Sequence, residues 1–165
     1  MNHLWTLALL LFAGTAFGAE LALGLAAPEV TATGLDNATV FRLSEKRGHV
    51  VILNFWATWC APCKNEMPAL QTYFEQHKDQ GLEVLAISMD DARELEQVRK
   101  LARSYSFAVA LKSQASFKGL GRIWRMPSTF VIDRDGLLRK NGHEGDAEIT
   151  REQLEALVDP LLARP

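Results

Sequence analysis

Residues 50–63 read VVILNFWATWCAPC. The run VVILNF is apolar and β-branched apart from Asn54, the pattern of a parallel strand buried on both faces. Cys60 and Cys63, which follow, are the only two cysteines in a chain of 165 residues. A bridge across so short a loop removes little unfolded-chain entropy, so the pair makes a poor staple. A closed zinc site takes four ligands, and His49, His77 and His143 are scattered without ligand spacing. Two soft thiolates can hold Cu(I), which keeps a copper chaperone as the metal alternative.

Redox chemistry suits the pair better. Cys60 falls where a buried strand meets a helix amino terminus, and the unpaired amides and dipole there stabilise a thiolate. Pro62 fits a first helical turn, where its missing amide hydrogen costs nothing. Cys63 lies one turn further on, in reach of a mixed disulfide formed at Cys60. The spacing therefore allows a two-step exchange in which Cys60 attacks and Cys63 resolves.

The rest of the chain alternates strands and helices. A helix is predicted from Pro62 to His77, with Met67, Leu70, Tyr73 and Phe74 on one face and Gly81 as its stop. LEVLAIS (82–88) reads as a second buried strand. Asp90-Asp91 opens another helix carrying Leu95, Val98, Leu101 and Ala102. Phe107–Leu111 is a third strand, and a short helix is expected over Phe117–Ile123. TFVID and LLRK flank the Arg134-Asp135-Gly136 turn of a hairpin. Thr150 with Gln153 forms a capping box for a last helix, with Leu154, Leu157, Val158 and Leu161 inward. Ahead of all these, Thr39–Leu43 alternates as a strand after an Asp36-Asn37 turn. The expectation is an α/β fold with a mixed sheet.

Composition bounds the function. Apolar residues make up 48% and charged residues 23%, ordinary for one globular domain. A net charge of −2 gives no electrostatic reason for nucleic acid. The first twenty residues, MNHLWTLALLLFAGTAFGAE, differ: they are apolar from Leu4 to Phe17, and Ala16-Phe17-Gly18 has the form of a signal-peptidase site. Residues 1–18 are therefore expected to be a signal peptide or membrane anchor, with one domain over 19–165. Apolar residues continue through LALGLAAP, so an uncleaved anchor stays open. Gly119-x-Gly121 lacks the rest of any phosphate-binding fingerprint.

The run NFWATWCAPCKNEMPAL, with the downstream Met126-Pro127-Ser128-Thr129-Phe130, resembles the thioredoxin superfamily, and within it the exported TlpA/ResA/CcmG-type thiol–disulfide oxidoreductases. The resemblance covers Pro28 to the end. It implies a thioredoxin-like fold: a central mixed β-sheet flanked by helices, with an N-terminal β extension. It also implies Cys60 as exposed nucleophile, Cys63 as resolving cysteine and Pro127 as a cis-proline facing them; a trans-proline at a strand start is the alternative. Met126 would offer backbone groups to a substrate chain, and Trp59 would shape the surface beside Cys60. Trp56 reads as core. Glu66 matches the acidic residue of this subfamily and would exchange protons with Cys63; a carboxylate merely favoured in a first helical turn is the other reading. Asn54 stands where cytosolic thioredoxins carry an aspartate, and an amide cannot accept that proton.

The activity implied is reduction of protein disulfides in the periplasm, on apocytochrome c or the cysteines of a copper site. A membrane thiol transporter would recharge the pair. No cofactor or resident metal is required, and a monomer is expected. A disulfide-forming oxidant on the same fold is the rival reading. A peroxidase is disfavoured, because Thr58 is followed by Trp59 in a plain CxxC context.

Overall fold

A computed structural model describes residues 21–164; the leader assigned to residues 1–18 lies outside them. Seven strands form one sheet in the order β2-β1-β5-β4-β3-β6-β7. They are β1 (Thr31–Gly34), β2 (Val40–Arg42), β3 (Val50–Trp56), β4 (Leu82–Ser88), β5 (Ala108–Ser116), β6 (Ser128–Ile132) and β7 (Leu138–Lys140). Pairs β3/β4 and β4/β5 are parallel, and the remaining pairs are antiparallel.

The double burial expected of VVILNF is observed: all seven β3 residues are buried. Successive side chains point to opposite faces. Val50, Ile52 and Trp56 join one core, where they meet α1 (Ala61–His77), α2 (Leu95–Ala102) and α3 (Arg151–Leu162). Val51, Leu53 and Phe55 join a second core with Val30, Leu43, Leu120 and Phe130. Burying each such large side chain contributes about 1.5–3 kcal/mol before entropy is counted. The three α-helices of the described residues sit on the first face. Turns and the amino-terminal segment cover the second.

That asymmetry corrects one expectation. The helix foreseen over Phe117–Ile123 shrinks to a single 3-10 turn, Lys118–Leu120. Gly121 has φ of +77°, which ends the helix. A side chain at Gly119 would place its Cβ 2.3 Å from Pro28 Cβ, so the segment lies flat against the chain leading into β1. Phe117 and Leu120 still fill the second core, Phe117 edge-on to Phe55 at 4.9 Å between centroids.

Other boundaries move less. The third strand extends to Ser116, because β1 pairs along its outer edge. The expected amino-terminal extension is the β1–β2 hairpin, with Asp36 Oδ1 accepting from the amides of Ala38 and Thr39 in the turn. Asp91 rather than Asp90 caps the turn leading into α2. The Thr150–Gln153 capping box is present. Residues 24–27 run along the outside of β7, with Gly24 N donating to Leu138 O and Leu138 N to Leu25 O.

Candidate active site

β3 delivers the cysteines to the amino terminus of α1. Cys60 is the helix cap, in extended backbone geometry, and its Sγ accepts from Cys63 N at 3.3 Å. The two cysteines are joined as a disulfide, with Cα atoms 5.3 Å apart. Cys60 keeps 5% of its surface open and Cys63 none. The exposed nucleophile anticipated from the sequence is therefore mostly covered in the oxidised state, because its sulfur is bonded inward and seats in the first core. The asymmetry still favours attack at Cys60, since access decides which sulfur reacts.

β6 brings the second half of the site alongside. Phe55 pairs with Ser128 and Asn54 with Thr129, so the chain entering β6 lies beside the chain leaving β3. The Met126–Pro127 peptide is cis. Met126 packs partly buried against the cluster that holds both cysteines. Two tryptophans mark the opposite condition: Trp56 is fully buried, while Trp59 is 67% exposed.

Glu66 is buried three residues beyond Cys63, on the same face of α1. Its Oε1 accepts from Asn54 Nδ2 at 2.6 Å and its Oε2 from Ile149 N at 2.8 Å. Asn54 Nδ2 also donates to Thr129 Oγ1 at 3.0 Å. Burial pushes the Glu66 carboxyl up to about 7, and nearby Glu148 adds to the rise; the Ile149 amide, the Asn54 amide and Lys140 act against it. Lys140 is itself lowered by burial and by repulsion from Arg125. Glu66 is thus a buried acid titrating near neutrality, not an exposed first-turn carboxylate. Its hydrogen bonds run to Asn54 and Ile149, and none runs to Cys63 among the described residues.

Two features had no clear trace in the sequence. Asp90, expected with Asp91 to open a helix, is instead buried just beyond β4. It accepts from Thr58 N at 2.9 Å, Thr58 Oγ1 at 2.6 Å and Ser88 Oγ at 2.7 Å. The available signal is an acid two residues beyond a buried strand. Arg125 clamps the loop after β7, donating to the carbonyls of Gly142, Glu144 and Gly145 at 2.8–3.2 Å. Ser128 Oγ donates to the same Gly142 carbonyl at 2.9 Å.

The clamp leaves no room for a side chain at Gly142. A Cβ there would lie 2.5 Å from Ser128 Oγ and 2.6 Å from Phe130 Cε2. Gly142→Ala is expected to lower stability by about 1–3 kcal/mol through overpacking. Denaturant unfolding checks this; an unchanged midpoint would show that the β6 wall yields freely.

Comparison with known proteins matches this arrangement. The AhpC/TSA family model matches residues 23–141. Relatives include the thiol-disulfide oxidoreductase ResA of Bacillus cereus, 31% identical over 86% of this chain and 80% of its own length. ResA of Geobacillus kaustophilus is 34% identical over 72% of this chain and 68% of its own. Among solved structures, a Chlorobium tepidum protein assigned as thiol:disulfide interchange protein DsbE superposes with a TM-score of 0.72 at 28% identity, covering 87% of this chain and all (100%) of that one. With its central mixed sheet and buried CxxC disulfide, the chain has the thioredoxin-like fold and belongs to the AhpC/TSA family, as a thiol–disulfide oxidoreductase of the ResA/DsbE type.

Proposed function

We propose that the protein is an exported reductase of protein disulfides that acts in the periplasm as a monomer. The observation that carries the reading is the disulfide at the α1 amino terminus, open only at Cys60, with the cis Met126–Pro127 peptide leading into the strand that pairs with β3. In the reduced protein the Cys60 thiolate attacks one sulfur of a substrate disulfide and expels the other as a thiolate. Cys63, deprotonated, then attacks Cys60 Sγ; the substrate leaves carrying both electrons and Cys60–Cys63 re-forms. Glu66, as its carboxylate, is the base that takes the Cys63 proton, one helical turn away. Trp59, Met126 and Pro127 receive the substrate backbone.

The substrates are disulfide-bearing polypeptides outside the cytoplasm: apocytochrome c with its heme-binding cysteines oxidised, in cytochrome c biogenesis, or a copper-site protein with its cysteines oxidised. A membrane thiol transporter returns electrons to the pair. Export rests on residues 1–18, the leader or anchor; among the described residues no helix is long and apolar enough to cross a membrane.

Equilibration of the pair against a thiol buffer, followed by tryptophan fluorescence, tests the direction of transfer. A potential near about −270 mV, that of thioredoxin, is the expected result. A potential near about −120 mV would make the protein a disulfide donor instead.

A further inference from the structure

The turn that presents Cys60 is held from outside. Cys60 N donates to Ala57 O at 3.1 Å, closing the turn. Met89 N donates to Trp56 O at 2.8 Å, tying the end of β3 to the end of β4. One residue on, the Asp90 carboxylate takes both donors of Thr58, the backbone amide and the hydroxyl. Its remaining contact, from Ser88 Oγ, anchors the carboxylate to its own strand, and Asp90 N donates back to Ser88 Oγ at 3.2 Å. A buried carboxylate persists only where donors satisfy it, and here most of its donors belong to the loop before the nucleophile.

We propose that Asp90 is the positioning residue of the Cys60 thiol, fixing the turn at Ala57–Trp59 through which the sulfur is presented. The proposal rests on reading Cys60 as the attacking residue. With Thr58 pulled inward, Trp59 points out to solvent and Cys60 is set as the cap of α1, its sulfur facing Cys63 N. Releasing Thr58 frees the turn to move the sulfur off that amide. The thiolate then loses the hydrogen bond and helix-terminal field that favour it.

An amide at position 90 can keep all three contacts. Its oxygen takes the place of Oδ2, accepting from Thr58 N and Ser88 Oγ, while its nitrogen donates to Thr58 Oγ1, a hydroxyl able to accept. Asp90→Asn and Asp90→Ala are both uncharged, so their difference isolates the latch from the charge.

The test uses the full protein with Cys63→Ser, which leaves Cys60 as the sole thiol. The pH dependence of its reaction with 5,5′-dithiobis(2-nitrobenzoate) is followed well below the unfolding temperature. The expected result is that adding Asp90→Ala slows the reaction at neutral pH by about threefold or more relative to Asp90→Asn. The pH profile should move alkaline by about half a unit or more, the threefold change in thiolate population that this shift implies. Thr58→Val, which removes one contact and keeps the backbone amide, should move the profile the same way by less; it serves if Asp90→Ala fails to fold. Superposed profiles for Asp90→Ala and Asp90→Asn, or for Thr58→Val and the parent, would overturn the latch. A parent protein that forms no mixed disulfide would overturn the thiol-exchange reading instead.

Discussion

With Cys63 replaced by serine, the reduced protein stops at the mixed disulfide and accumulates covalently bound substrate. Only Cys60 retains an opening to solvent, so it alone can attack; the sulfur that would release the product is fully buried in the first core. Non-reducing electrophoresis of the protein mixed with an oxidised apocytochrome c peptide should show an adduct that a reductant dissolves. Cys60→Ser should give no adduct and no exchange, since the remaining thiol has no exposed surface. Cys63→Ala, which buries no hydroxyl, controls for a folding defect in the serine variant. Active exchange by Cys60→Ser would sink the assignment of roles.

Stability of the oxidised protein should fall as pH rises from about 4.5 to above 7, contrary to the behaviour of a salt-bridged carboxylate. Glu66 titrates near 7 in the fold and near 4.5 when unfolded. Between these values the folded chain keeps a proton that the unfolded chain has released, so raising the pH favours unfolding. The contribution is fully present below about 4.5 and lost through the folded value, about 3 kcal/mol in all. Glu66→Gln, which keeps an acceptor for the Ile149 amide, should flatten this limb of the stability–pH curve. Urea midpoints across pH 4–8 measure it. Matching slopes for the two proteins would show that Glu66 is solvated and does not titrate high.

What the sequence reveals here depends on the range of each interaction. β3, β4, α1 and α3 are legible because burial on both faces, 3.6-residue periodicity and the Thr150 capping box are written in consecutive residues. Cys60 and Cys63 stand out as the chain's only cysteines, two residues apart, whereas Pro127 stands out only through the family resemblance. The Phe117–Ile123 helix misled: its apolar spacing was real and serves the second core, but Gly121 and the contact of Gly119 with Pro28 forbid the helix. Pro28 lies far away in sequence, so no local pattern announces it. The same holds for Glu66, whose partners Asn54 and Ile149 come from a strand and a distant loop, and for Asp90, whose partner Thr58 is a strand and a helix away. Such polar pairs follow no periodicity.

The sheet is finished by its earliest residues. Ala26 bridges to Leu137, and Thr31 and Ala32 pair with Ser116 and Ala115. A chain made from its amino end therefore carries its edge-covering segments early; β1 can pair at once with β2, but neither segment meets β5 or β7 until those later strands exist. Long loops must close before these pairings repay the entropy of closure, which slows folding. Until then the margins of β5 and β7 offer bare amides and carbonyls to any neighbouring chain. The vulnerable interval in the life of this molecule runs from the making of β5 to the return of β1 and the segment before it.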